Sequence, residues 1–243
     1  MEKYSQNFGV SFRDVDITGQ LTINTLVDFM QEIARQHALK LGVDYSSYED
    51  DYYWIVVRTK AKLDTAPKIG DNIRIETYIA GTERLFSVRR FDIYDEENQL
   101  LGYIIAYYLL MNKRNHRPVK LKSLEGNASM FQQPYEGEPL KKPEEELEET
   151  LNVTKRLVYS SDIDTNYHMN NAHYIRWIMD MFSTTELEKK RIVSIQIQYV
   201  KEVLEGNEIE VIRGQEAEGN VTIVGKGKDG TTHFISSVLV EAR

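Results

Sequence analysis

A repeated order of predicted elements constrains this chain more than any single residue does. Each half of the sequence reads as a strand, a helix and four further strands rich in β-branched and aromatic residues. An offset of 148 places Asp14 on Asp162, and an offset of 136 places residues 69–75 on residues 205–211. The two offsets differ by 12 because the first half carries a longer loop, GVDYSSYEDDYY, after its helix. The pattern predicts two similar modules.

Periodic apolar residues define the helix of each predicted module. Residues 26–41 carry apolar side chains at steps of three and four, which is typical of a helix with one buried face. Thr22 suits the N-cap, and Gly42 suits the left-handed residue that ends many helices. The same spacing across residues 171–182 predicts the second helix. The predicted strands are residues 54–63, 72–79, 86–94, 100–111, 191–200, 208–213, 220–225 and 232–240.

The modules are predicted at residues 1–123 and 151–243, with a linker at residues 124–150. This linker contains three of the five prolines and two runs of glutamate, both of which disfavour a core element. A connection of this length predicts that the modules pack side by side. Each is expected to be a long helix wrapped by an antiparallel sheet.

Charge and cysteine content exclude several classes of protein. Lysine and arginine total 30 and aspartate and glutamate 38, so the formal net charge is −8. A general nucleic-acid binder needs a positive field, which this balance does not supply. The chain has 0 cysteines, which excludes disulfides, thiolate metal ligands and a cysteine nucleophile. Without zinc spacing, a phosphate loop or a dinucleotide fingerprint, the sequence implies no metal and no cofactor.

The sequence shows no membrane or export segment. Its first residues lack the apolar core of a signal peptide. The longest uncharged apolar stretch, residues 100–111, is shorter than the roughly 18 residues that a membrane span needs. The prediction is a cytoplasmic protein.

One polar segment ahead of the second helix is the strongest candidate for a functional site. Asp164, Asn166 and His168 alternate at a period of two, so an extended segment would place them on one face. Asn170 or Asn171 is placed to cap the helix, whose free N–H groups would lie close by. Such a group could polarise a carbonyl and stabilise an oxyanion. Polar clusters of this composition also form ordinary caps and turns, so composition alone leaves both interpretations open.

The first half of the repeat distinguishes between these interpretations. Its corresponding residues are Asp16, Thr18 and Gln20, which lack the imidazole and the amide of the second half. A cluster needed only for architecture should occur in both modules. The difference therefore indicates one active module and one without the chemistry.

The segment DIDTNYHMNNAHYIRW resembles the signature of acyl-acyl carrier protein thioesterases. The first half resembles the same family in SFRDVDITGQLTINTLVDFMQE, WIVVRTKAKLD and LLMNKRNHRPVKL. The resemblance covers most of the chain outside the linker. It implies a double hotdog fold of the α+β class. It also implies hydrolysis of the thioester between a fatty acyl chain and the phosphopantetheine arm of acyl carrier protein, which terminates fatty-acid synthesis.

The resemblance also implies the catalytic residues. By position in the motif they are Asp164, Asn166, His168 and, in a later strand, Glu202. Plant relatives carry a cysteine where this chain has Val203, and an older proposal for the family used that cysteine as the nucleophile. A chain without cysteine cannot use that mechanism.

Two mechanisms stay open at this point. Asp164 could attack the thioester carbonyl directly, or a carboxylate could activate water for the attack. General-base and electrostatic catalysis centred on Glu202 and His168 is the preferred hypothesis. Ala66 lies at the equivalent of Glu202 in the first half, which again separates the two modules.

The resemblance places the acyl chain between helix and sheet of the first module. Periodicity marks candidates for its lining, although most such residues belong to an ordinary core. His37 lies on the same helical stripe and is expected to be a hydrogen-bonded core residue. No role is assigned to His116, His173 and His233. The lining candidates are Phe29, Met30, Ile33 and Trp54.

Carrier proteins are acidic, so docking on a chain of net charge −8 needs a local basic patch. Two clusters qualify by sequence. The first comprises Lys113, Arg114, Arg117, Lys120 and Lys122, and the second Lys189, Lys190 and Arg191. Each would also serve as an ordinary solvated strand or helix end. An acyl-coenzyme A thioesterase and a non-catalytic acyl-binding protein are the alternative functions, and homodimerisation stays open.

Overall fold

The computed structural model describes residues 2–43, 51–121, 131–147, 149–165 and 167–243. The helices are α1 (Ile23–Leu41), α2 (Asn171–Met179) and α3 (Thr184–Lys189). The strands of the first half are β1 (Tyr4–Gly9), β2 (Tyr52–Leu63), β3 (Asn72–Glu83), β4 (Phe86–Tyr94) and β5 (Leu100–Asn112). Those of the second half are β6 (Thr150–Leu157), β7 (Lys190–Tyr199), β8 (Glu208–Gly214), β9 (Asn220–Gly227) and β10 (Thr232–Ala242).

Both ends of α1 follow the sequence prediction. The side chain of Thr22 accepts a hydrogen bond from the backbone N–H of Thr25, which satisfies one of the free donors of the first turn. Gly42 has φ 64°, and its N–H donates to the carbonyl oxygens of Ala38 and Leu39. This left-handed conformation is favourable for glycine and strained for most other residues.

The second predicted helix is shorter than its apolar stripe. α2 ends at Met179, and α3 begins after Ser183, whose side chain accepts from the N–H of Glu186. The carboxylate of Glu186 bonds back to the Ser183 N–H at 2.8 Å, which completes a capping box. The prediction of one helix over residues 171–182 was therefore wrong at its end. A competing cap starts a new helix there.

Within the described ranges, ten strands form one sheet in the order β1-β3-β4-β5-β2-β7-β10-β9-β8-β6. The two halves join where β2 pairs antiparallel with β7, from Arg58 opposite Gln198 to Lys62 opposite Ser194. The halves thus lie side by side, as the linker length predicts.

The helices lie against the sheet, and each contributes its apolar face to a core shared by both halves. Leu26, Met30 and Ile33 of α1 are fully buried, and Ile175 and Ile178 of α2 join the same cluster. Burial of such side chains stabilises the fold by roughly 1.5–3 kcal/mol each. No helix among the described residues is long and apolar enough to cross a membrane.

Candidate active site

The structure brings together two residues that lie far apart in the sequence. The Nε2 atom of His168 is 3.0 Å from the Oε2 atom of Glu202, and both side chains keep contact with solvent. His168 precedes α2, whereas Glu202 follows β7. The arrangement places an imidazole and a carboxylate at hydrogen-bond distance on an accessible surface, which is the geometry that proton transfer needs.

A tight loop, not an extended segment, positions His168. The backbone N–H of Asp164 donates to the His168 carbonyl oxygen at 2.8 Å, and the Tyr167 N–H donates to the Asp164 carbonyl oxygen at 3.1 Å. The His168 N–H points back to Oδ1 of Asp164 at 3.4 Å. Tyr167 adopts a left-handed φ of 63°, which is unfavourable for a bulky residue. The segment is therefore not extended as the sequence predicts, and Asn166 lies outside the described residues.

Glu202 is held by the segments on either side of it. The Met169 N–H donates to the Val203 carbonyl oxygen at 2.9 Å, which ties the His168 loop to the Glu202 loop. Nδ1 of His233 lies 3.2 Å from the carbonyl oxygens of both Lys201 and Glu202. Because both partners are acceptors, Nδ1 carries the proton. These bonds fix the backbone from which the Glu202 carboxylate extends.

The start of α2 completes the site. Of the two residues predicted as N-cap candidates, Asn170 is the cap, and its Oδ1 accepts from the Ala172 N–H at 2.9 Å. The same oxygen accepts from Nε2 of Gln31, on α1, at 3.0 Å. The helix start and its partial positive charge therefore lie next to His168 and are linked to the other half of the molecule. No sequence signal marked Gln31 or His233, because both act through tertiary contacts.

The first half of the chain repeats the loop without the chemistry. The Asp16 N–H donates to the Gln20 carbonyl oxygen at 2.8 Å, as Asp164 does to His168. Gly19, with φ 74°, stands where the second half has the left-handed Tyr167. Since glycine adopts this conformation freely, only the second half keeps a strained residue at the loop.

Arg243 fills this second, incomplete site. Its guanidinium donates to Oε1 of Gln20 at 2.8 Å and to Oδ2 of Asp16 at 2.9 Å. The pocket around it is also lined by Ala66 and Arg191. In the first half, Asp16 stands where the second half has Asp164. Gln20 and Ala66 stand in place of His168 and Glu202. The Arg243 side chain occupies the space between them.

Removing this arginine is expected to destabilise the fold. Arg243→Ala deletes charge-assisted hydrogen bonds to two partly buried groups, so the free energy of unfolding should fall by about 2 kcal/mol. Urea denaturation measures the loss. Arg13→Ala is the control, because the Arg13 side chain is 91% exposed and lies 3.9 Å from Asp14. Equal small losses in both variants would contradict a structural role for Arg243.

Three of the four lining candidates lie in one apolar cluster, the shared core, and Trp54 lies in another. Met30 and Ile33 are fully buried in the shared core, and Phe29 stacks on Phe8 of β1 with ring centroids 4.4 Å apart. Trp54 belongs to a separate apolar cluster, where its ring centroid is 5.9 Å from that of Phe131.

The other histidines have structural partners. Nδ1 of His173 is 2.8 Å from Oδ1 of Asp162. His116 lies 3.3 Å from the hydroxyl of Tyr53, and burial together with the charge of Glu202 raises the pKa of that tyrosine. Within the described ranges, no three His, Asp or Glu side chains are grouped so that they could hold a metal ion.

The helices α1 and α2, laid against one continuous sheet, together with the repeated loop define a double hotdog protein. Residues 1–123 match the family model for the acyl-ACP thioesterase N-terminal domain, and residues 143–235 match that for the C-terminal domain. The chain belongs to the acyl-ACP thioesterase family.

The chain is similar to curated relatives, and it shares its fold with solved structures. A palmitoyl-acyl carrier protein thioesterase of Gossypium hirsutum is 24% identical over 82% of this chain and 52% of its own length. One from Cuphea hookeriana is 22% identical over 89% of this chain and 55% of its own. The chain thus spans about half the length of these curated relatives. The acyl-ACP thioesterase structure from Bacteroides thetaiotaomicron superposes with a TM-score of 0.88 at 24% identity, covering 98% of both chains. The 12:0-ACP thioesterase from Umbellularia californica gives 0.84 at 19% identity, covering 99% and 98%.

Proposed function

We propose that this protein hydrolyses the thioester of fatty acyl-acyl carrier protein and releases a free fatty acid. The observation that carries the proposal is the contact of 3.0 Å between His168 and Glu202, beside the start of α2. The family membership supplies the substrate class, because the relatives named above are acyl carrier protein thioesterases.

In the proposed reaction a water molecule attacks the thioester carbonyl. The hydrogen-bonded pair of Glu202 and His168 takes one proton of this water as the carbon–oxygen bond forms, and it later passes that proton to the departing thiolate or to solvent. The oxyanion lies near the start of α2, where the helix dipole stabilises negative charge. Collapse of the intermediate breaks the carbon–sulfur bond and expels the phosphopantetheine thiolate. Since a thiol has a pKa near 8.5, this leaving group needs less protonation than an amine would.

Asp164 takes a supporting role in this proposal. Its Oδ1 accepts from the His168 N–H and so helps to hold the loop that carries the imidazole. Asn166 is assigned to substrate polarisation on the family resemblance alone. The competing mechanism has Asp164 attack the carbonyl directly and form an anhydride. Trapping with hydroxylamine during turnover distinguishes the two, because only the anhydride yields a hydroxamate on the protein.

Hydrolysis of a panel of acyl groups, each presented on carrier protein and on coenzyme A, tests the proposed substrate. We expect free fatty acid from the carrier-protein series at a kcat/KM at least about tenfold above that for the same acyl group on coenzyme A. The reverse preference would establish an acyl-coenzyme A thioesterase. Tight acyl binding without release would indicate a binding protein and overturn the proposal.

The basic cluster at the end of β5 is the proposed docking surface. His116, in the loop after β5, contacts Tyr53. The charge of Glu202 contributes to the raised pKa of Tyr53, so the two side chains are near each other. The loop after β5 therefore lies on the Glu202 side of the molecule. Arg114 and Arg117 are exposed on the same loop, and Lys122 lies outside the described residues. In the second cluster, Lys189 ends α3 and Lys190 and Arg191 begin β7, on the side of the incomplete site.

In the same panel, Arg114→Glu combined with Arg117→Glu should raise KM for the carrier-protein substrates alone. Lys189→Glu is the matched control, because it changes the same kind of charge at the cluster farther from Glu202. A rise in KM for the coenzyme A substrates of equal size would show a general disturbance of the site, not loss of docking.

His233 is proposed as a positioning residue for Glu202. His233→Phe keeps a ring but removes the donor to the Lys201 and Glu202 carbonyl oxygens, so kcat should fall by about tenfold while KM stays nearly constant. His233→Asn retains a donor and should recover part of the loss. An equal fall in both variants, or a change confined to KM, would contradict this role.

The cytoplasmic location and homodimerisation stay predictions.

A further inference from the structure

One type of tight loop occurs four times in the described parts of the chain. In each copy the backbone N–H of the first residue donates to the carbonyl oxygen of the fifth, and the N–H of the fourth donates to the carbonyl oxygen of the first, all at 2.8–3.2 Å. The fourth residue has a left-handed φ of 62–79°. The copies are residues 16–20, 95–99, 164–168 and 227–231. Three of them can therefore be compared with the loop that carries His168.

The residue at the left-handed position differs in kind between these loops. Three copies have Gly19, Asn98 or Gly230 there, and glycine and asparagine adopt a positive φ at little cost. The loop at residues 164–168 has Tyr167 instead. The Cβ atom of a tyrosine crowds the backbone in this conformation, so this loop is strained where the other three are not.

No contact within the described chain offsets the strain at Tyr167. The Tyr167 side chain is 83% exposed. Its phenol forms no hydrogen bond with the described residues and stacks on none of their rings, and only its backbone N–H takes part in the loop. A residue that breaks a local rule without a gain in folding is expected at a functional site. The partner of the ring therefore lies outside the chain.

Tyr167 lies on the solvent side of the candidate catalytic pair. Met169 and Val203, which directly follow His168 and Glu202, are buried in the shared core. Tyr167 precedes His168, and the side chains of the pair are themselves 33% and 58% exposed. A thioester held by the pair thus has one side toward the core and the other toward solvent, beside Tyr167. The thiol part of the substrate extends to the solvent side, because its far end is attached to the carrier.

We propose that Tyr167 binds the phosphopantetheine arm of the substrate next to the thioester. The proposal rests on the proposed hydrolysis of acyl thioesters. The arm is a flexible chain with two amide groups, to which a tyrosine offers an apolar ring face and a hydroxyl that donates or accepts a hydrogen bond. This contact would hold the thioester against His168 and Glu202 and displace water from an open site. The carrier protein lies at the far end of the arm, so a residue next to His168 meets the arm first.

The first test compares hydrolysis of one acyl group presented on carrier protein, on pantetheine and as its S-ethyl thioester, which has no arm. Tyr167→Asn introduces the residue found in the loop at residues 95–99, so it removes the ring without the added flexibility of glycine. We expect its kcat/KM to fall about tenfold for both substrates with the arm and less than about twofold for the S-ethyl thioester. Tyr167→Phe keeps the ring and should lose no more than about threefold.

Asn98→Gly is the matched control, because it changes the same position of the same loop type, between β4 and β5. The whole length of β5 separates this loop from the loop on the Glu202 side, so kcat/KM should stay unchanged for every substrate. A loss in Tyr167→Asn confined to the carrier-protein substrate would assign the ring to the carrier surface. An equal loss on the S-ethyl thioester, or in Asn98→Gly, would assign it to the geometry of the fold. Each of these results overturns the proposal.

Urea denaturation gives a readout that does not depend on the substrate. Tyr167→Asn should unfold at a higher urea concentration than wild type, because the strain is relieved and no contact within the described chain is lost. A lower midpoint would mean that the ring stabilises the fold, which would overturn the proposal.

A binding measurement separates this proposal from the proposed function. The probe is a thioether between pantetheine and an alkyl chain, which has no thioester to hydrolyse, and the alkyl ethyl thioether is the reference without the arm. By calorimetry, wild type should bind the pantetheine thioether at least about fivefold more tightly than Tyr167→Asn does, with no such difference for the reference. Equal affinities of the two proteins for the probe, or no binding to wild type, would overturn the proposal. The expected difference in a protein that hydrolyses no thioester would contradict the proposed function alone.

Discussion

His168→Ala and Glu202→Gln are each expected to lower kcat for acyl-carrier-protein hydrolysis by about 10²–10⁴-fold. The loss is of this size because general acid–base catalysis contributes that much in the transition state. Glutamine keeps the shape of Glu202 and removes its charge, so a folded Glu202→Gln protein isolates the proton chemistry. Circular dichroism confirms the fold, and free fatty acid release measures the rate.

The double variant sharpens this test. Residues that act as one unit are not additive, so His168→Ala with Glu202→Gln should be about as slow as the slower single variant. His173→Gln is the matched control, because His173 also contacts a carboxylate, at 2.8 Å, and lies on α2 itself. If the loss of kcat in the double variant equals the product of the two single losses, His168 and Glu202 do not form one catalytic pair. An equal loss of kcat in His173→Gln would show the same.

The second large effect concerns stability in acid. The Nη1 atom of Arg89, on β4, lies 2.8 Å from Nδ1 of His37, on α1. Burial and the charge of Arg89 lower the pKa of His37 to about 4, with Lys40 acting in the same direction and Glu2 opposing it. The unfolded chain binds a proton at His37 below about pH 6.5, whereas the folded protein does not do so until about pH 4. The free energy of unfolding should therefore decrease by about 3 kcal/mol from this group as the pH falls through that window.

Urea denaturation of wild type and His37→Gln at several pH values between 7 and 4 checks this expectation. Glutamine offers Arg89 an acceptor but does not titrate, so its own cost is the same at each pH. The difference in stability between the two proteins should shift in favour of His37→Gln as the pH falls. A constant difference would mean that His37 is not kept neutral by burial.

The repeat and its helix caps were predictable because they depend on local spacing. Thr22 caps the start of α1 and Gly42 caps its end, as the sequence predicts, and Asn170 caps the start of α2. Each of these residues acts on backbone groups within a few positions of itself. The length of the second helix was not predictable from its apolar stripe, because the capping box at Ser183 competes with that stripe.

The sequence by itself therefore determined the two-module organisation, the family and the identity of the polar groups ahead of α2. The tertiary structure decided how those groups meet. Contact between His168 and Glu202 depends on two loops joined by the Met169 to Val203 hydrogen bond, and no local pattern encodes it. The same holds for Arg89 and His37, which lie 52 positions apart. Periodicity marks which side chains are buried, whereas the register of the strands and the packing of α1 select the partner that each buried group finds.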